Sequence, residues 1–155
     1  MAILHGWILP MISMMRKLPL SLLAIAAGLL SGCCSSRPTI AEFRSMTLER
    51  KIPAFEEAYR GGCLKETEPV YLGMIADHGY AAADEMVRLI KTPHPDFPLR
   101  DAVLVLSFVN AQGTNLKLHP AHEVLRELSN ESRDPAVREE ARRTLLEIDA
   151  RTKGP

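Results

Sequence analysis

Asp134-Pro135-Ala136-Val137-Arg138-Glu139-Glu140-Ala141-Arg142-Arg143-Thr144-Leu145-Leu146-Glu147-Ile148 is the stretch on which the fold turns. An aspartate followed by proline reads as a helix start. The carboxylate can accept from a free backbone N–H, and proline in the first turn forfeits no hydrogen bond. Val137, Ala141, Leu145 and Ile148 recur at three and four residues, which is one stripe of a helix. Arg138, Arg142 and Arg143 are offset by Glu139, Glu140 and Glu147, so the other side reads as a salt-bridged exposed face.

Thirty-eight residues upstream the pattern returns. Asp96 falls on Asp134, Leu99 on Val137, Arg100 on Arg138, and Glu85–Ile90 falls on Glu123–Leu128. Asp96 is expected to cap a helix through Leu99, Val103, Leu106 and Val109 that stops near Gly113. Leu118-His119-Pro120 should open another, with Ala121, Val124, Leu125 and Leu128 on its apolar stripe. A further helix from about Tyr80 carries Ala83, Met86, Val87 and Ile90. Closer to the N-terminus, Thr39-Ile40-Ala41-Glu42 has the form of a capping box. Pro53 is expected to break or kink the helix that follows, and Gly61-Gly62 to end it. Another helix should start near Thr67 or Glu68.

The Asp, Val-Arg, Ala, Leu order of residues 134–148 resembles the second helix of a HEAT repeat, the short variety also found in phycobilin lyases. Asp96–Val109 is a looser copy, with Val103 in place of the alanine and Ser107 at the first leucine position. The period lies just under that of HEAT and armadillo arrays. The resemblance covers about 80–150. It implies an all-α fold, a short α-solenoid of antiparallel helix pairs in which each pair buries its apolar face on the next. It also implies scaffolding roles for the charges: Asp96 and Asp134 as helix caps, Arg100 and Arg138 as a ladder between repeats. Second helices of such repeats often line the concave face, so exposed positions on 98–112 and 135–150 are the expected partner surface. Nothing in the repeat implies lyase chemistry.

The N-terminal part has a different character. Residues 1–32 carry only Arg16 and Lys17 as charged side chains. Those two precede the apolar run Leu18–Leu30, which is too short to span a bilayer and suits a signal-peptide core. Leu30-Ser31-Gly32-Cys33 closes the run and resembles the bacterial lipobox. That resemblance implies cleavage before Cys33, a diacylglyceryl group on its sulfur and an acyl chain on its new N-terminus. Two or more chains suffice for stable anchoring. Cys34 is not an aspartate, so outer-membrane sorting, facing the periplasm, is implied where the organism has two membranes. Residues 1–13 do not fit a leader, so a start at Met14 or Met15 is expected, the alternative being a second short apolar segment that forms a re-entrant pair with 18–30. The expected plan is therefore a signal peptide over 1–32, a lipidated tether over 33–39, a helical cap or diverged repeat over 40–79, and two helix pairs over 80–155.

Cys34 and Cys63 would remain after lipidation. They either pair in an oxidising compartment, or Cys63 is a small buried residue after the glycine turn. The chain balances 19 Lys+Arg against 19 Asp+Glu, which argues against a nucleic-acid partner. Walker, GxGxxG, GxSxG and HExxH motifs are absent, so no catalytic residue and no cofactor are expected beyond the acyl groups on Cys33. His119 and His122 are three apart, the spacing nearest to a metal pair, but Pro120 puts His119 at the cap. Solvated loop histidines are the preferred reading, with no metal. The expected function is a membrane-anchored periplasmic module that binds an envelope protein or peptide. An enzyme or small-ligand receptor with an unrecognised site, and a purely structural envelope lipoprotein, are the alternatives.

Overall fold

The structure, a computed structural model, describes residues 37–92 and 94–151. The signal peptide, Cys33 and Cys34 lie outside the described residues. Within these residues all regular structure is helical: α1 Ile40–Ser45, α2 Leu48–Arg60, a 3-10 turn Lys65–Thr67, α3 Glu68–Ala76, α4 Tyr80–Lys91, α5 Leu99–Ala111, α6 Pro120–Glu131 and α7 Pro135–Arg151. None of these helices is long and apolar enough to cross a membrane.

The local chemistry explains most of these boundaries. Thr39 and Glu42 form the expected capping box at α1, each side chain bonding the other's backbone N–H. The break falls at Met46, which is extended, and not at Pro53. Pro53 instead lies inside α2 on its exposed side, between the buried Ile52 and the partly buried Ala54, with the buried Phe55 just beyond. Pro120 opens α6, and Gly113 (φ 99) supplies the left-handed conformation just after α5 ends.

α5 is the hub of the packing. It rests against α3, α4 and α7, while α4 also meets α6 and α6 meets α7. Ala102, Val103, Val105, Leu106 and Val109 are buried along it, each aliphatic side chain contributing about 1.5–3 kcal/mol when fully withdrawn from water. Enclosed on so many sides, α5 leaves few exposed positions in 98–112 and does not offer the open partner face expected of it. α7 buries Val137, Ala141, Thr144 and Ile148, with Leu145 partly buried against the same core, so Thr144 joins the expected stripe. Its hydroxyl stays satisfied by donating to the Glu140 carbonyl at 2.9 Å. At the far end Arg151 donates to the Asn110 and Ala111 carbonyls, satisfying the last turn of α5.

Candidate functional site

The repeat charges divide into two cases. Asp134 caps α7, its Oδ1 accepting from the Ala136 N–H at 2.8 Å. Arg138 donates to the Ser132 carbonyl at 2.6 Å, so it braces its own turn instead of a ladder between repeats. Asp96 caps nothing: α5 begins at Leu99 with Pro98 in the cap position. A residue before proline is disfavoured in the helical region, so Phe97 cannot join the helix and Asp96 is left outside. Asp96 instead pairs with Arg60 of α2, and that pairing holds its carboxyl below the usual range. Arg100 is exposed.

The 94–97 segment reaches α2 three times. Besides Asp96–Arg60, Phe97 is buried with its ring 5.1 Å from that of Phe55, and His94 Nδ1 lies 2.8 Å from Glu56 Oε1. Beside this triple contact, α2 and α4 stand apart over a cleft of about 660 Å³. Leu48, Ile52, Pro53, Ala81 and Leu89 give it an apolar lining. Its polar groups are Glu49, Glu56, Asp84, Glu85, Arg88 and His94. Glu85 accepts both arms of the Arg88 guanidinium, at 2.5 and 2.9 Å, which lowers its pKa. Glu56 is almost fully withdrawn from water, and burial raises its pKa despite the opposing pull of His94. A concave site of this size, with an apolar lining and a few placed charges, has the form of a ligand or peptide site.

His119 and His122 are not solvated loop residues. His119 is the N-cap of α6: Nδ1 accepts from the Ala121 N–H at 3.1 Å, and Nε2 faces Asp84 Oδ1 at 3.1 Å. Its ring stacks on Tyr80 at 5.6 Å. His122 Nδ1 lies 3.2 Å from Arg126 Nη2, and its Nε2 lies 3.6 Å from Asp149 Oδ1. Among the described residues no three His, Cys, Asp or Glu side chains converge to hold a metal ion.

Residues 37–39 of the expected tether belong to the folded domain. Arg37 Nη1 donates to the Cys63 carbonyl at 2.9 Å and Nε to the Tyr71 hydroxyl at 3.1 Å, with the guanidinium over the Tyr71 ring. Tyr71 in turn donates to the Pro38 carbonyl at 2.7 Å. Cys63 is buried, with its thiol 3.4 Å from the Gly61 carbonyl. Its expected alternative partner, Cys34, is outside the described residues.

Besides Glu56, two buried charges escaped the sequence reading. Lys51 of α2 is 2% exposed and donates to the Met74 carbonyl at 2.8 Å. It supplies a cation to the last turn of α3, which has no basic residue of its own. Burial lowers its pKa. Asp101 of α5 is 3% exposed, and burial next to Glu68 pushes its pKa up to about 7. Each sits at a helical position where a charge normally faces water, so periodicity carries no signal for either. Comparison of the chain with protein-family models, with curated proteins and with solved structures gives no match.

Proposed function

We propose that the chain is a lipoprotein of the bacterial envelope, acylated on Cys33, whose helices form a short α-solenoid serving as a protein-binding or scaffold module. The lipobox-like run Leu30–Cys33 supports the anchor, and Cys34 favours the outer membrane, facing the periplasm, where there are two membranes. The solenoid reading rests on the 38-residue repeat together with the neighbour order, in which α3, α5 and α7 follow one another as do α4 and α6. The observation that carries the binding role is the α2–α4 cleft. On this reading the partner, an envelope protein or peptide, lies in that cleft, and the second-helix faces around 98–112 and 135–150, the surface that the repeat resemblance implies, are scaffold.

The test is photo-crosslinking in intact envelopes. A crosslinker at Ala81, on the cleft wall, is expected to give a discrete adduct that one at Arg143, on the exposed side of α7, does not. Adducts from both positions alike, or from neither, would remove the binding role. The anchor is tested separately: labelled palmitate should be incorporated by the natural chain and not by Cys33→Ser. Trp7 is the sole tryptophan, so the processed protein should show no indole fluorescence.

One observation favours a second reading, a small-ligand receptor or enzyme. Glu56 and His94 form a carboxylate–imidazole pair at the cleft edge, the kind of pair that can move a proton.

A further inference from the structure

The α2–α4 cleft has an uneven charge. Its lining includes four carboxylates, Glu49, Glu56, Asp84 and Glu85, against one guanidinium, Arg88, and one imidazole, His94. Arg88 is engaged by Glu85. Arg60, the other cation near Glu56, is engaged by Asp96. Neither arginine is therefore placed to neutralise Glu56, whose Oε1 meets the half-exposed imidazole of His94 at 2.8 Å and whose charged form is disfavoured by burial. Asp84 faces the capping histidine of α6. Glu49, on the first turn of α2, bonds to its own backbone N–H, and this favours its charged form. An apolar lining beneath an excess of carboxylate suits a guest with the opposite layout, a methylene stem ending in a cation.

We propose that this cleft takes a basic side chain of the partner, its stem lying on Ile52 and Leu89 and its ammonium or guanidinium head meeting Glu56 and the carboxylates around it. This deepens the binding role proposed above and rests on it for the source of that side chain. A charge-assisted contact with a nearly buried carboxylate contributes more than one with an exposed carboxylate, so Glu56 carries the selectivity and Glu49 assists. The same cation could arrive on a free small molecule, and the experiment separates the two sources.

The test is a titration of the full-length ¹⁵N-labelled chain in detergent micelles, followed by amide shifts. Three probes are used: butylguanidinium, butyrate, and the tripeptide acetyl-Ala-Arg-Ala-amide. Saturable shifts confined to α2 and α4 are expected with butylguanidinium and none with butyrate, and the peptide should bind more tightly than the free cation. Glu56→Gln should weaken butylguanidinium about tenfold and Glu49→Gln about threefold. Glu139→Gln, on the exposed face of α7, should change nothing. An equal response to butyrate, or unchanged affinity in both cleft variants, overturns the proposal. Should Glu56→Gln fail to fold, the Glu49→Gln and butyrate arms still decide. Crosslinks from Ala81 without cation binding sink this inference and leave the binding role standing. Cation binding without crosslinks, and with no gain for the peptide, sinks the protein source and leaves a free cationic ligand.

Discussion

The turn between α4 and α5 and the turn between α6 and α7 occupy the same place in the 38-residue repeat, yet they do different work. In the second, proline follows the aspartate directly, stands in the first turn of α7, and Asp134 caps the helix that it introduces. In the first, proline stands two places after the aspartate, at Pro98. Phe97 is then kept out of the helix, α5 starts late, and Asp96 turns away to Arg60. The released residues bind α2 through an ion pair, a ring contact and the His94–Glu56 contact. One turn closes on itself, and the other holds a neighbouring helix beside an open cleft. The two turns differ in where the proline stands, and with it in whether the aspartate caps a helix or bridges to another.

Phe97→Ala should break this contrast most severely. Removing a buried ring that packs on Phe55 is expected to cost about 3 kcal/mol, read as a lower denaturant midpoint, and to loosen α2 in hydrogen exchange. The next effect concerns the closed side of the molecule, where Asp101 of α5 is buried beside Glu68. Its folded pKa, about 7, is raised above the unfolded value. Its contribution is therefore fully present below about pH 4 and is lost as pH rises through about 7. After allowance for solvent screening, stability should fall by about 2 kcal/mol between pH 4 and pH 8. Asp101→Asn should flatten that slope in denaturation run at both pH values.

The two aspartates give the sharper test. Asp134→Ala should cost about 1 kcal/mol through the lost cap, whereas Asp96→Ala should leave the midpoint nearly unchanged, since its pair with Arg60 is open to water. Equal losses would restore Asp96 as a cap. The smallest effect is expected from Pro98→Ala. With the restriction on Phe97 lifted, α5 can extend toward Asp96, and the Arg100 amide should exchange more slowly. No change there would show that Phe97 burial, and not Pro98, sets the helix start.

What could be read from the chain itself was whatever depends on neighbours a few residues away. The Thr39–Glu42 box, Pro120 in the first turn of α6, the Asp134 cap, the stripe on α6 and that on α5 from Val103 onward are all local and were all legible, whereas Leu99, at the first position of α5, is exposed. Asp96 aligns with Asp134 in the repeat, but Pro98 stands where Ala136 does, and this difference in the following residues separates their roles. Thr144 is buried more deeply than Leu145, which still packs on the core, because one helical stripe can rotate slightly once its neighbours are fixed. The cleft gave no signal. It exists because α2 and α4 fail to close on each other, and its Glu56–His94 pair joins residues far apart in the chain. Lys51 and Asp101 were hidden for the same reason, since only the arrival of another helix buries them.

The grip of Arg37 on Tyr71 and Cys63 has one more consequence. Only four peptide steps separate Cys33 from Arg37, which gives a leash of at most about 15 Å. If acyl chains hold that cysteine, the domain cannot roam above the lipid. On the proposed reading it would be held like a bracket close to the wall, and a guest would have to come within roughly one domain's height of the surface to be caught.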